Sequence, residues 1–299
     1  MPAALAPALA GAGTGREAGD MVSAKADLLR DFSIEMTAKD IEQLDETARL
    51  VPAGTMVSIT FLPGESFASR VDAAAKVHAL GLRPVPHLSA RRLASASELE
   101  GFLDALAGRI DLKHMFVVAG DLAEPAGPYQ DALSLIRSNL FQRYGVEHVG
   151  VAGYPEGHSQ IDNAALWQAL RDKAAVFADH GLDWSIMTQF GFDADPVLAW
   201  LAQLREEGID VPVRVGVAGP ASVKTLMRFA LRCGVGTSAK VIKKYGLSVT
   251  KLLGTTGPDP IINDIAAGIV DTVHGATQLH FYPFGGLAKT AAWVQDFRA

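Results

Sequence analysis

From about residue 30 onward, short runs rich in Val, Ile, Phe and Met alternate with longer stretches in which apolar residues return every third or fourth position. Eight runs read as strands: residues 31–36, 55–60, 83–87, 114–118, 146–152, 184–188, 213–217 and 278–282. They are apolar throughout rather than alternating, as parallel strands covered on both faces are. Helical periodicity fills 66–80, 97–107, 130–143, 163–180, 195–207 and 221–233. Val71, Ala74, Ala75, Val77 and Leu80 share one face of the first of these, and Leu99, Phe102, Leu103 and Leu106 serve the second. Strand–helix alternation repeated eight times predicts an α/β fold, a (β/α)8 TIM barrel, with an open doubly wound sheet as the alternative. The seventh connection, residues 218–277, is long. It holds further helical pieces at 238–245 and 259–270, with Gly-Pro breakers at Gly219-Pro220 and Gly257-Pro258. Residues 1–25, whose first part is rich in Ala, Gly and Pro, are predicted to be a disordered tail, and 26–299 a single catalytic barrel domain.

Composition narrows the partners rather than the fold. With 49% hydrophobic and 20% charged residues the chain can bury a large core. Its net charge of -6 and scattered Lys and Arg argue against nucleic acid as a partner. No apolar run approaches the roughly 18–20 residues that span a bilayer, so no membrane is expected. The N-terminus makes a poor signal peptide, and the single cysteine, Cys233, suits a reducing cytoplasm. The sequence leaves the oligomeric state open, a homo-oligomer included. There is no Cys/His metal spacing and no Walker sequence. Two glycine-rich stretches invite a dinucleotide reading. Gly11-Ala-Gly13-Thr-Gly15 has no strand before it, and Gly234-Val-Gly236-Thr-Ser-Ala239 follows a helix, which makes it a helix C-cap instead.

Candidate chemistry lies in the polar residues that close the strands, because a parallel barrel gathers all its strand ends on one rim. In chain order these are Glu35, Thr60, His87, Gly120 and Asp121, the segment Ala152 to His158 with Tyr154, and Gln189 followed by Phe190 and Phe192. Glu35 is the sharpest. A carboxylate ending an apolar strand is partly desolvated, which raises its pKa and suits a general acid near neutral pH. The alternative is an ion pair with a rim cation such as Arg91. Asp121 follows a glycine that lets a ligand approach the backbone; it also reads as a turn or N-cap aspartate. Gln189 can donate and accept at once, as recognition of an amide-like or pteridine-like ring requires.

These strand ends, in this order and spacing, resemble the methylenetetrahydrofolate reductase family. The matching pieces are Phe32-Ser-Ile-Glu35, Val57-Ser-Ile-Thr60, Pro86-His87-Leu-Ser89, Gly120-Asp121, Ala152-Gly-Tyr154-Pro-Glu-Gly-His158 and Thr188-Gln189-Phe190-Gly-Phe192-Asp193. The resemblance implies a barrel that carries FAD. It implies ping-pong hydride transfer from NADH or NADPH, through the flavin, to 5,10-methylenetetrahydrofolate, giving 5-methyltetrahydrofolate. Glu35 then matches the catalytic acid, Asp121 the aspartate beside flavin and pterin, and Gln189 the glutamine that meets folate and nicotinamide in turn, with Phe192 beside the substrate. Thr60, His87, Gly120, Asp121, Ala152, Tyr154 and His158 match cofactor-contacting positions, and Arg171 or Lys173 would supply the basic phosphate contact. The chain departs from the family in placing Ala119 where an arginine holds the flavin diphosphate, and in lacking Asn-Arg after Phe281-Tyr282-Pro-Phe284. Three alternatives stay open: an FAD-free folate reductase with direct hydride transfer from NADH, a folate-binding protein without turnover and, third, a flavin amine dehydrogenase on a similar barrel.

Overall fold

The structure, a computed structural model, describes residues 18–62, 64–235 and 255–298. Its frame is a closed barrel of eight parallel strands: β1 (Ser33–Met36), β2 (Met56–Ile59), β3 (Arg83–Ser89), β4 (His114–Val118), β5 (His148–Gly153), β6 (Asp183–Thr188), β7 (Val213–Ala218) and, after a two-residue ribbon β8 (Ala221–Ser222) with β9 (Thr255–Thr256), the closing strand β10 (Thr277–Tyr282). Each predicted run is one of these strands, and β10 lies between β7 and β1, which shuts the ring and excludes the open sheet. Register places Ser33 opposite His280 and Glu35 opposite Ser58.

The first helix, α1 (Ala18–Arg30), begins inside the stretch predicted as tail. Ala24, within that stretch, and Leu28 and Leu29 just beyond it are buried in the main core, so packing anchors the helix. The short α2 (Leu44–Leu50) follows a 3-10 turn (Ala38–Gln43). Helices α3 (Phe67–Ala79) and α4 (Ala96–Ala107) match their predicted spans within a residue or so. Ser66 and Ser95 cap them by accepting from Ser69 N and Glu98 N. The predicted helix 130–143 is instead two short ones, α5 (Ala132–Ile136) and α6 (Leu140–Arg143). Asn139 between them takes a left-handed φ of 57°. Asparagine tolerates that conformation better than other non-glycine residues, and one left-handed residue breaks helical continuity despite an unbroken apolar period.

Helix α7 (Asn163–His180) has its predicted bounds, with Asp162 accepting from Ala165 N at one end and left-handed Gly181 at the other. Helices α8 (Ala194–Glu206) and α9 (Val223–Cys233) follow. Gly234, at φ 66°, is the C-cap of α9, as the sequence reading of this glycine stretch requires. Helices Asp259–Gly268, Asp271–His274 and Leu287–Arg298 complete the ring. The piece predicted at 238–245 and the glycines at 11–15 lie outside the described residues.

Alternation along the strands sorts side chains into two shells. Ile34, Met36, Val57, Ile59, Val149, Val151, Val215, Leu279 and Phe281 join the core beneath the helices. The other parity points into the barrel and is mixed: Val85, Phe116 and Met187 form a small apolar layer. Below it, toward the N-terminal ends, His114, His148, Ser185 and Arg214 line a small cavity. Arg214 donates to the backbone carbonyl of Asp31 and pairs with its carboxylate at 2.6 Å. His148 Nε2 meets Ser185 Oγ at 2.7 Å. Gly150 makes room for the layer above, since a Cβ there would lie 2.7 Å from the ring of Phe116.

Candidate active site

Glu35 is the last inward-facing residue of β1. Its side chain is 18% exposed at the upper end of the barrel interior. Burial pushes its carboxyl from the ordinary 4.5 up to about 7; nearby His87 opposes the rise and Asp40 adds to it. Asp40 is held there by a capping box, accepting from Thr37 N at 2.8 Å and from Thr37 Oγ1 at 2.9 Å. Arg91 does not pair with Glu35. Its guanidinium donates to the carbonyls of Gln130, Leu122 and Ala123, stapling the loop beyond β4.

Two histidines flank the carboxylate. His87 is buried, its ring 4.5 Å from that of Phe116, and its Nε2 has no hydrogen-bond partner. Desolvation holds its pKa down at about 4, so the ring is neutral at physiological pH. Arg70, buried against Phe61, Phe67 and Phe102, donates to the carbonyl of His87 at 3.1 Å and fixes that part of β3. His280, wholly buried on β10, binds Ser33 Oγ through Nδ1 at 2.8 Å and directs Nε2 toward Glu35 Oε2 at 3.9 Å. Tyr282, one inward position further along, packs edge-on to the His280 ring and donates to Thr188 O at 3.0 Å.

One side of the mouth is walled by an apolar cluster that joins α9 to the ends of β6 and β10. Phe190, Phe192, Val223, Leu226 and Ala230 are buried in it, and Phe229 stacks on Phe284 at 4.0 Å. Cys233, at the end of α9, packs against this cluster. Burial raises its thiol pKa, Arg232 opposes that, and the Glu35 charge adds to it.

The other sequence-predicted residues distribute unevenly. Gln189 sits half-buried at the end of β6, its side-chain Oε1 accepting from Phe190 N at 3.1 Å. Thr60 closes β2, its N–H bonded to Met36 O at 2.9 Å. Gly120 has φ 96°, and an added Cβ would lie 3.2 Å from Ser89 Cβ, so glycine is required there. Asp121 is not a free carboxylate facing the centre. Its side chain is 67% exposed and forms a forked pair with Arg92, with both contacts at 2.8 Å. Phe192 is 2% exposed within the apolar wall, its ring edge-on to Phe190 at 5.8 Å between centroids. Tyr154 and His158 meet edge to face at 5.1 Å.

Ala152, Tyr154 and Lys173 line one cavity of about 210 Å³ between α7 and α8, walled by the stacked rings of Trp167 and Trp200. Lys173 Nζ donates to Ala169 O at 3.2 Å, and burial lowers its pKa. Arg171 points elsewhere, to Glu207 at 2.7 Å and to Gln168. No group of acidic, His and Cys residues suited to a metal ion occurs among the described residues, and no helix there is long and apolar enough to cross a membrane.

The sequence reading missed Ser33, Asp40, Cys233, His280 and Tyr282. A usable signal was present for three of them. Ser33, His280 and Tyr282 occupy the inward parity of strands whose outward positions beside them, Ile34, Met36, Leu279 and Phe281, are apolar and buried.

Comparison with known proteins follows the same outline. A sequence profile described as "Methylenetetrahydrofolate reductase" matches residues 29–287. Methylenetetrahydrofolate reductase 2 of Saccharomyces cerevisiae is 34% identical over 109 residues, covering 35% of this chain and 17% of the yeast protein. Methylenetetrahydrofolate reductase (NADH) 1 of Arabidopsis thaliana is 28% identical over 163 residues, 51% of this chain and 26% of the plant protein. The matched part therefore spans about a quarter or less of these relatives. A solved structure from Clostridium thermocellum, described as an uncharacterized protein that binds two copies of 5-methyl-5,6,7,8-tetrahydrofolic acid, superposes with a TM-score of 0.62. It is 12% identical, over 92% of this chain and 98% of that one, a likeness of fold.

Proposed function

The chain belongs to the methylenetetrahydrofolate reductase family, and we propose that it transfers a hydride from a reduced nicotinamide cofactor to 5,10-methylenetetrahydrofolate, giving 5-methyltetrahydrofolate. The observation that carries this reading is Glu35, a buried carboxyl with a pKa of about 7 at the mouth of the barrel. Opening the five-membered ring of the substrate requires a proton at N10, and the C–N bond that breaks leaves its electron pair there. The product of that step is an iminium at N5 whose methylene carbon accepts hydride. A carboxylic acid that is substantially protonated near neutrality can supply that proton; an ordinary glutamate, ionised above about pH 5, cannot. Gln189, at the end of β6 on the same rim, offers an amide to the pterin ring, with Oε1 already accepting from Phe190 N. The folate-binding description of the Clostridium protein agrees with a reduced pterin entering a barrel of this shape.

The FAD that the family resemblance implies fits these residues poorly. Its diphosphate needs cations, and Ala119 offers none. Among the described residues, Arg171 is turned to Glu207, Arg92 is held by Asp121, and Arg91 is spent on loop carbonyls. Lys173 lies in a crevice between α7 and α8 and donates to Ala169 O. These observations favour direct transfer from nicotinamide to the iminium over a flavin relay, and they carry no preference between NADH and NADPH. An anaerobic assay with NAD(P)H and methylenetetrahydrofolate, together with a visible spectrum of the purified protein, tests both parts. Turnover by a colourless protein without added flavin is the expected result. A flavin spectrum that accounts for every active site would restore the relay. Stoichiometric folate binding without NAD(P)H oxidation would remove the reaction itself.

A further inference from the structure

The inward face of β1 and β10 carries a line of polar groups whose spacing is that of a relay. Ser33 and Glu35 are two residues apart on β1 and point the same way. His280 stands opposite Ser33 in the β1–β10 register. Its ring bridges them, with Nδ1 at 2.8 Å from Ser33 Oγ and Nε2 at 3.9 Å from Glu35 Oε2. Tyr282 closes the ring's other side at 4.8 Å between centroids.

His280 Nε2 is sealed from solvent and has no partner at bonding distance. A buried ring nitrogen left so is costly unless a partner reaches it during function, and hydrogen bonds at reactive centres are often long before substrate is bound. We infer that His280 is a positioning residue for Glu35: Ser33 donates to Nδ1, which fixes the tautomer with hydrogen on Nε2, and that N–H steadies the Glu35 carboxylate after it has given up its proton. The inference deepens the proposed reduction and rests on that reading for its purpose, although not for its geometry.

The ring serves as a neutral donor. Burial first, and Arg214 on β7 second, hold the pKa of His280 down at about 3. The other groups facing Glu35 are His87 on β3, Asp40 in the turn after β1, Cys233 at the end of α9, and Tyr282. His87 favours the carboxylate, Asp40 opposes it, and the Glu35 charge itself discourages ionisation of Cys233 and Tyr282. A donor aimed at the carboxylate counters the desolvation that pushes Glu35 upward, keeping the acid strong enough to release its proton to N10.

Titration of the Glu35 side-chain carboxyl by 13C NMR, its resonance assigned by its loss in Glu35→Gln, tests the relay without needing turnover. In His280→Leu the proton affinity of Glu35 should rise at least about tenfold, and the alkaline limb of the kcat/KM profile for folate should move up with it. His280→Gln, which keeps an N–H of similar reach, should restore most of the wild-type value. Ser33→Ala, a milder change, should shift the titration in the same direction by less, and it decides the matter if His280→Leu does not fold. An unchanged Glu35 titration in a folded His280→Leu, or in Ser33→Ala where Leu is not tolerated, would overturn the relay. Absence of folate turnover in the wild-type protein would instead overturn the reaction, while leaving the NMR result to judge the relay.

Discussion

At the scale of single residues, the contrast between Glu35 and Asp121 shows how far a carboxylate's surroundings decide its work. Both close barrel strands, but one is desolvated and the other is exposed and forked to Arg92. Glu35→Gln should therefore abolish folate reduction, and in wild type the rate should fall as pH rises through about 7, because the acid form is the active one. A folded-state pKa raised from 4.5 to about 7 contributes stability that is fully present below about pH 4.5 and is lost as pH rises through about 7. Glu35→Gln should thus be more stable than wild type at pH 8, by up to about 3 kcal/mol, with the gap closing on acidification. Thermal melts of the two proteins at pH 5 and 8 check this, and equal melting temperatures at pH 8 would contradict a buried carboxylate. Glu35 was legible in the sequence because it ends an apolar run. The pairing of Asp121 was not, since Arg92 lies 29 residues away and only the β3–β4 crossover brings it near.

Among the elements, all eight strands were visible as apolar runs, and the helix over 163–180 was visible to the residue. The break at Asn139 was hidden, because periodicity reports which side of a segment is buried and not whether one backbone unit turns left-handed. The same blindness concealed His280: Leu279 and Phe281 give the strand its core signature, and the polar residue between them faces the opposite shell. Inward polarity of this kind also holds strands together. Arg214 on β7, with its side chain 10% exposed, reaches across to Asp31, the residue that leads into β1. Arg214→Leu should cost about 1–3 kcal/mol rather than the full penalty of a stranded buried charge, because Asp31 is half-exposed and keeps Arg83 at 3.2 Å. Urea unfolding would measure that loss as a lower midpoint with an unchanged slope.

Taken as a whole, the molecule stores several neutral histidines in its barrel. Desolvation lowers His87 and His148 to about 4 and His280 to about 3. A depressed histidine contributes stability that is fully present above its unfolded value near 6.5 and is lost as pH falls through the folded one. Over the window from about 6.5 down to 3–4, these three groups outweigh Glu35, which acts in the opposite sense. The melting temperature should therefore decline steadily across that interval, and replacing His148 by Gln should flatten the slope. A melting temperature constant from pH 7 to 4.5 would show that these rings are not held neutral.

The ribbon between Ala221–Ser222 and Thr255–Thr256 bears on how such a protein can diverge. It ties the long seventh connection at its neck, between β7 and β10. Lengthening a loop already closed at its base adds only about 0.6 kcal/mol per doubling. Extra length beyond the ribbon therefore adds little closure entropy, while the register of Val213 to Ala218 against Thr277 to Tyr282 is held within the barrel itself. Changes in the segment that begins with α9 reshape the wall of the mouth, while Ser33, Glu35 and His280 stand on barrel strands outside it.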